Sequence, residues 1–344
     1  MSHNIFGKRF YGKQREPAWH GLGVVSDKDQ NGVEALTAIG GGYWFEKRPV
    51  TVELNGTPTE TGDFAIVRSP LPDDPQEKVF GYTTDRYKIM QPLDVVELFD
   101  TKVNKPIETL GMLGKGERLF LTWKMPEFDV VVNDTVKNFG FVAIGFDAVM
   151  GASLNVVTTR VVCQNTYMVA IAEAERTKER NKGRIYSGKH TSGNMQKELG
   201  AWMGYVDQEA TRQVALTNSL FKRFSQIPLE QENEVYKLLF AAYPDPEKLS
   251  VNAYIPDSLR KGKEEKIEME AEGMKRNRDG IYSLFAGMGT QITPDYWGLF
   301  NATTEWFNYG QTEKKPANLS VLMGNRAKRM NDMVEVLSYE ANKI

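Results

Sequence analysis

The stretch YWFEKRPVTVELNG, residues 43–56, decides the fold class of the first half of the chain. Apolar and polar residues alternate along it, which is the pattern of a β-strand with one buried face. Asn55-Gly56 is the strongest short-range signal for a two-residue hairpin turn. A returning strand is therefore expected near residues 63–68, and a third strand near residues 79–82.

Beyond this hairpin the pattern predicts an alternation of strands with short helices. Pro92 suits the first turn of a helix, and the apolar residues after it recur at helical spacing. The tight turn Gly114-Lys115-Gly116 predicts another hairpin. The predicted segments are a helix over residues 92–103, strands over 107–113, 118–125, 138–146 and 152–158, and a helix from Val161 to Ala172.

After about residue 175 the alternating pattern gives way to long segments with a 3.6-residue period. The sequence thus indicates an α+β fold, with antiparallel β-hairpins and short helices in the N-terminal half and a mostly helical C-terminal half. We divide the chain into an N-terminal arm and entry over residues 1–41, an α+β core domain over 42–190, and a helical region over 191–344. The first twenty residues are expected to be irregular.

Composition excludes several classes of protein. The chain has 344 residues, a formal net charge of −2, one cysteine and three histidines. A single cysteine cannot form an internal disulfide, and so few imidazoles and thiols leave little for a zinc site. The absence of a long apolar run and of a signal peptide leads us to expect a cytoplasmic protein without a membrane partner.

Residues suited to catalysis are scarce. The glycine clusters lack the lysine and hydroxyl of a phosphate-binding loop, and no His, Cys or carboxylate spacing matches a metal hydrolase. Cys163 with His190 as base is a conceivable nucleophile pair, but a lone cysteine between valines is more typical of a small buried side chain. We therefore expect no enzyme activity, cofactor, metal or small-molecule substrate.

Local charge is more informative than net charge. Residues 173–190 carry six Lys and Arg against three Glu, whereas residues 53–100 carry ten acids against four cations. Spaced cations beside an aromatic ring are typical of a groove that follows a phosphate backbone, although a solvated loop has the same composition. The candidate nucleic-acid contacts are Arg176, Lys178, Arg180, Lys182, Arg184, Tyr186, Lys189, Lys115, Arg118 and Arg160. Further candidate cations lie in the N-terminal arm and at Arg326, Lys328 and Arg329.

Several motifs in order along the chain resemble a known family. They are WHGLG at residues 19–23, YKIMQP at 87–92, RVVCQNT at 160–166, KHT at 189–191 and NATTEW at 301–306. Together they resemble the phage and plasmid-like protein family known as DUF932, a domain of unknown function. The chain departs from that family's pattern at residues 146–151 and at Asn308-Tyr309, where relatives tend to carry histidines.

The resemblance implies a role in handling DNA, because relatives occur in phages, prophages and plasmids among replication and recombination genes. The alternation of hairpins with a helix is also similar to phage single-strand annealing proteins. We expect a phage-encoded, homo-oligomeric protein in the cytoplasm of the bacterial host. It is expected to bind single-stranded DNA in a basic groove and to anneal single strands during DNA recombination. The alternative is a structural or interaction protein that assembles through its helical half, for example to counter a host defence or to organise phage components. Met and aromatic stripes from Tyr296 to Met333 suggest this alternative.

Overall fold

The structure is a computed structural model that describes residues 5–13, 23–160, 166–167, 186–188, 195–246, 257–287, 292–310 and 325–344. Of these residues, 44% lie in helices and 29% in strands, with a β-rich first half and a helical second half. The predicted α+β class is confirmed. The strands are β1 (Ile5–Gly12), β2 (Val24–Val25), β3 (Phe45–Leu54), β4 (Thr57–Arg68), β5 (Lys78–Thr83), β6 (Thr109–Leu113), β7 (Arg118–Asp129), β8 (Thr135–Gly145), β9 (Ala152–Arg160), β10 (Thr166–Tyr167) and β11 (Tyr186–Gly188).

These strands form two sheets. The larger has the order β10-β9-β8-β7-β6-β1-β2, with β11 also paired to β9, and the smaller has the order β3-β4-β5. In the larger sheet the β6–β7, β7–β8 and β8–β9 pairs are all antiparallel and consecutive in the chain. The sequence predicts the β6–β7 and β8–β9 pairs, whereas the pairing of β7 with β8 was not predicted. The Asn55-Gly56 turn joins β3 to β4 as the sequence predicts, and both residues have positive φ.

The helices follow from apolar periodicity and from their first turns. They are α1 (Gly32–Ala38), α2 (Pro92–Lys102), α3 (Met195–Phe224), α4 (Glu232–Ala242), α5 (Asp257–Ala286), α6 (Tyr296–Glu305), a short π-helix (Trp306–Gly310) and α7 (Asn325–Ala341). Asn31 and Glu34 form a capping box at the start of α1. Pro92 occupies the first turn of α2, as predicted, because its missing N–H has no partner to lose there.

Two sequence expectations are wrong. Residues 5–12 are not irregular: they form β1, which lies between β6 and β2 inside the larger sheet. Two of the cations that suggested an exposed arm are compensated in the fold, since Arg9 is buried and pairs with Asp73 at 2.9 and 2.5 Å, and Lys13 pairs with Asp29. The helix expected over residues 161–172 is also contradicted, because Thr166 and Tyr167 pair with β9 as a strand. The other residues of that predicted helix lie outside the described residues.

The buried apolar side chains form two main cores. The first lies between one face of the larger sheet and α1, α2 and the first half of α3, and the second lies among the end of α3 and helices α4 to α7. Helix α3 is long enough to serve both, with Leu199 and Met203 in the first core and Phe221 and Phe224 in the second. The two halves are therefore joined through a continuous helix rather than by a loop alone.

A buried hydrogen bond adds a second connection between the halves. The indole N–H of Trp297 in α6 donates to Asp134 Oδ2 at 2.8 Å, and Asp134 lies in the loop between β7 and β8. Both residues are buried. Because a buried carboxylate needs partners, this bond fixes how α6 sits against that end of the sheet.

Gly140 offers a test of packing in the larger sheet. It lies opposite Trp123, and a Cβ at this position would fall 2.1 Å from the indole. We expect Gly140→Ala to lower the free energy of unfolding by about 1–3 kcal/mol, because the buried ring has no room to move. The control is Gly204→Ala, an exposed helical site with open space, where we expect a gain of about 0.5–1 kcal/mol. Urea denaturation measures both, and a Gly140→Ala variant as stable as the wild type contradicts this packing.

Candidate functional site

The side chains of β7 alternate between two environments. Leu119, Leu121 and Trp123 are fully buried in the first core. Since successive strand residues point to opposite faces, Arg118, Phe120, Thr122 and Lys124 lie on the other side of the sheet, which we call the outer face. Along about 20 Å of strand the outer face thus presents a cation, an aromatic ring, a hydroxyl and a second cation.

Aromatic rings cross the outer face from strand to strand. Phe10 of β1, Phe120 of β7 and Phe141 of β8 follow one another with ring centroids 6.4 and 6.3 Å apart. Gly111 of β6 lies between them, and a Cβ there would be 2.5 Å from the Phe120 ring. The glycine therefore makes the space that Phe120 fills. Phe120 is half-buried, whereas Phe141 is fully buried.

Three lysines lie around Glu108 at one end of the larger sheet, and we call Lys13, Lys124 and Lys137 the lysine cluster. Lys124 Nζ lies 3.7 Å from Glu108 Oε2 with its side chain 67% exposed, and Lys13 pairs with Asp29. Lys137 is exposed and close enough to act electrostatically on the Glu108 carboxylate. Burial raises the pKa of the Glu108 carboxyl, and Lys124 and Lys13 oppose that shift in part. Two further exposed carboxylates lie at the same end, Glu127 in the bulge of β7 opposite Lys137 and Asp129 opposite Thr135. The lysines therefore lie among carboxylates, and Lys124 and Lys137 are the two that solvent reaches most freely.

Polar and aromatic groups surround the cluster. The hydroxyls of Thr109 and Thr122 are 2.7 Å apart on neighbouring strands. Phe139, which is half-buried, is paired with Lys124 across β7 and β8. The arrangement can offer stacking surfaces to flat rings and cations to phosphates, which are the two requirements for binding a single nucleic-acid strand.

Two of the predicted contacts lie at the opposite end of the outer face. Lys115 is exposed in the turn between β6 and β7, and its backbone carbonyl accepts a hydrogen bond from the buried Arg68. Arg118 begins β7 with its side chain 33% exposed and lies 3.4 Å from Asp147. The structure thus brings Lys115 and Arg118 to one turn, where Lys115 remains available to solvent and Arg118 is partly neutralised.

The other predicted contacts are only partly described. Arg160 is the last residue of β9, opposite Val136, and Tyr186 is the first residue of β11. Six predicted contacts lie outside the described residues: Arg176, Lys178, Arg180, Lys182, Arg184 and Lys189.

The strands that flank residues 168–185 in the chain are described, and we call residues 168–185, which hold five of the six cations, the basic segment. Thr166 of β10 pairs with Thr159 of β9, and Tyr186 of β11 pairs with Leu154 of β9. The strands before and after the basic segment therefore both pair with β9.

The cations suggested in the last helix belong to a different environment. Arg326 donates to the carbonyl of Phe307, and Arg329 lies 3.8 Å from Asp332. Lys328 is the exposed member of the three. These cations lie on α7, which packs in the second core and not beside the outer face.

The Met and aromatic stripe behind the assembly hypothesis is mostly buried where it is described, with Tyr309 as an exposed member. Tyr296, Trp297, Met330 and Met333 all lie in the second core. The chain's own packing accounts for their spacing. Cys163 and His190, which the enzyme hypothesis requires, lie outside the described residues.

Sequence reasoning missed Phe120, Phe139, Lys124 and Lys137. For Phe120 and Lys124 the signal was present in the alternation of Arg118, Phe120, Thr122 and Lys124, which places these four residues on one face of a strand. Lys137 and Phe139 alternate in the same way along β8. A search for dense runs of charge does not detect cations spaced along a strand.

Two kinds of feature are absent from the described part of the chain. No group of three or more His, Cys, Asp or Glu residues there is placed to hold a metal ion. Among the same residues, no helix has both the length and the apolar character needed to cross a bilayer.

Glu108 provides a test of the lysine cluster. Replacing Glu108 with glutamine removes the negative charge among three lysines, so any polyanion bound there should bind about two- to threefold more tightly at low salt.

The same variant tests the pKa of the carboxyl. Because folding raises the pKa of Glu108, the free energy of unfolding of the wild type falls as the pH rises from the ordinary carboxyl pKa of 4.5 through the raised pKa. The glutamine variant should lose that dependence. Urea titrations across pH and filter binding of a single strand measure the two effects.

The matched control is Glu264→Gln, which makes the same change of charge on the exposed start of α5. Equal tightening in both variants would show a general charge effect and contradict a role for this cluster.

The family model described as "Domain of unknown function (DUF932)" matches residues 79–333, from β5 into α7. No curated protein and no solved structure matches the chain. The matched region contains β7, β8 and the basic segment.

Proposed function

We propose that this chain, which belongs to the DUF932 family, is a DNA-binding protein that holds single-stranded DNA across the outer face of its larger sheet. The observation that carries the proposal is the presentation of Arg118, Phe120, Thr122 and Lys124 from one face of β7. Cations there would contact phosphates, and the rings would offer stacking surfaces to bases.

The basic segment supports the same site. In the chain it lies between β10 and β11, which both pair with β9. The neighbouring strand β8 carries Lys137 and Phe139. Cations of residues 168–185 would add phosphate contacts beside those of the lysine cluster. Together they would form a basic groove along the sheet edge, despite the chain's formal net charge of −2.

The proposed activity is single-strand annealing in phage recombination, in the cytoplasm of a bacterial host. Contacts to phosphates position a strand without reading its sequence, so the base edges stay available for pairing. Several copies bound side by side would keep a strand extended and present it to its complement. This use of an oligomer rests on the family context and on the analogy with phage annealing proteins.

Fluorescence anisotropy with a labelled single strand of about 30 nucleotides tests the proposal, since this length exceeds a typical site. We expect binding at low salt that weakens steeply as salt rises, and weaker binding to a duplex of the same sequence. Annealing of complementary labelled strands should be faster with the protein than without it. Absence of binding at low salt would refute the proposal.

A variant pair tests the basic segment. Arg180→Ala, Lys182→Ala and Arg184→Ala together should weaken binding, whereas alanine at Lys261, Lys263 and Lys266 should not. The second set removes the same charge from exposed positions of α5. Equal binding by both triple variants would remove the segment from the site.

A further inference from the structure

Helix α6 carries a row of polar side chains into the second core. Asn301, Thr303 and Thr304 are fully buried, and Asn308 in the π-helix that follows is 5% exposed. Three of the four bond to the backbone about one turn earlier: Thr303 donates to the carbonyl of Leu299, Thr304 to that of Asn301, and Asn308 to that of Thr304. Such local bonds account for polar side chains inside a buried helix. Asn301 is the exception.

The side-chain amide of Asn301 is unpaired within the described residues. Its Nδ2 and Oδ1 atoms are both buried, and neither has a hydrogen-bond partner in that part of the chain. A buried amide without partners lowers stability, so nearly all such groups in folded proteins are satisfied by protein atoms or by ordered water. The Asn301 amide therefore points to a ligand that offers both a donor and an acceptor.

A carboxylate oxygen lies beside this amide. Glu305 follows Asn301 by four residues on α6, so the two side chains share one face of the helix with Cβ atoms about 5–6 Å apart. The residue is half-buried, but its Oε2 atom is buried and has no hydrogen-bond partner among the described residues. The same helix face thus presents two adjacent side chains with unpaired polar atoms.

The packing of α3 on α6 adds a third unpaired group. The loop after α3 pairs with the loop before α6, so the two helices run antiparallel from there. The rings of Phe221 and Phe300 then lie 5.5 Å apart. Asn218 precedes Phe221 by three residues on the same side of α3, which places it toward the turn of α6 that carries Asn301. Its buried Oδ1 atom also has no partner among the described residues.

We propose that Asn218, Asn301 and Glu305 form a polar site between α3 and α6 that binds ordered water. The unpaired atoms are three acceptor oxygens and the Nδ2 donor of Asn301. Water both donates and accepts, and a buried water makes about three hydrogen bonds to such groups. A metal ion or an ammonium group cannot accept from Nδ2. A bridging water also spans side chains that are too far apart to bond to each other.

The site lies at the connection between the two halves of the molecule. Asn301 is one turn along α6 from Trp297, whose indole bonds to Asp134 at the end of the sheet. A fully satisfied buried polar site restricts how its helices can pack, so the water would fix the register of α6 against α3. The site makes no use of the outer face, and its test is independent of DNA binding.

Asn301→Leu tests the site, because leucine has a similar volume and no polar atom. If water satisfies the amide, the variant loses these bonds and leaves the neighbouring oxygens unpaired. The midpoint of thermal unfolding should then fall by about 5 °C. A dry, unpaired amide predicts an unchanged or higher midpoint, which would overturn the inference. Asn233→Leu, at an exposed position of α4, is the control and should stay within about 2 °C of the wild type.

A double-mutant cycle separates a bridge from a general packing effect. Asn301 and Glu305 do not bond to each other, so without shared water the effects of Asn301→Leu and Glu305→Leu on the midpoint should add. With shared water, the double variant should lose less than the sum of the single variants. Additive losses would contradict the bridge.

Nuclear Overhauser effects between water and side-chain amides of the full, isotope-labelled chain detect the ligand directly. The Asn301 amide signal is the one that disappears in Asn301→Leu or, if that variant does not fold, in Asn301→Ser. Contact of this signal with long-lived water supports the site, and its absence overturns it. A rise of the midpoint with added MgCl₂ or KCl in the wild type and not in the Asn301 variant would identify an ion and overturn the assignment to water.

Discussion

Lys124→Gln together with Lys137→Gln is expected to weaken single-strand binding about tenfold at low salt, because each amine that neutralises a phosphate releases a counterion. Both residues are exposed on the outer face, beside the half-buried ring of Phe139. For two phosphate contacts, the slope of log affinity against log salt should fall by about 1.4. Anisotropy at a series of salt concentrations measures both quantities.

The control for this pair is Lys261→Gln with Lys263→Gln, which removes the same charge from exposed positions of α5. Its slope should match that of the wild type. A lysine-cluster variant with an unchanged slope would mean that its lysines make no phosphate contacts, whatever the change in affinity.

Trp297→Ala is expected to lower the free energy of unfolding by about 3–5 kcal/mol, the range found when a buried large aromatic side chain is truncated. Trp297 is fully buried, its ring centroid lies 4.7 Å from that of Phe221, and its indole donates to Asp134. Truncation leaves a cavity between α3 and α6 and a buried carboxylate that has lost a donor. Both effects act at the connection between the sheet and the helical half.

Urea denaturation followed by circular dichroism checks this prediction. Trp44→Ala is the matched control, since Trp44 is 59% exposed and should change stability by no more than about 0.5 kcal/mol. Asp134→Asn keeps an acceptor for the indole and should cost less than Trp297→Ala. A Trp297→Ala variant as stable as the Trp44→Ala variant would contradict the second core as described.

Elements with strong local signals were predictable from the sequence. The Asn55-Gly56 turn placed the β3–β4 hairpin, Pro92 placed the start of α2, and Gly114-Lys115-Gly116 placed the β6–β7 turn. Each of these depends on residues within a few positions of one another, because φ preferences and the missing N–H of proline act locally.

Elements that depend on distant partners were not predictable in this way. β1 is paired with β6, about a hundred residues further along the chain. Its cations resembled those of a solvated arm, but Arg9 is compensated by Asp73. Thr166 and Tyr167 lie in a run with helical spacing, yet pairing with β9 makes them a strand. Long-range pairing outweighs a weak local preference in both cases.

The sequence by itself determined the α+β class, the division into a hairpin-rich half and a helical half, and the separation of acidic from basic segments. Only the tertiary structure decided which charges meet. Lys13, Lys124 and Lys137 come from three different parts of the chain and gather around Glu108 because strand register brings β1, β7 and β8 together. Periodicity specifies the face of a strand on which a residue lies, whereas register between strands specifies its neighbours. Register is fixed by the packing of the whole sheet.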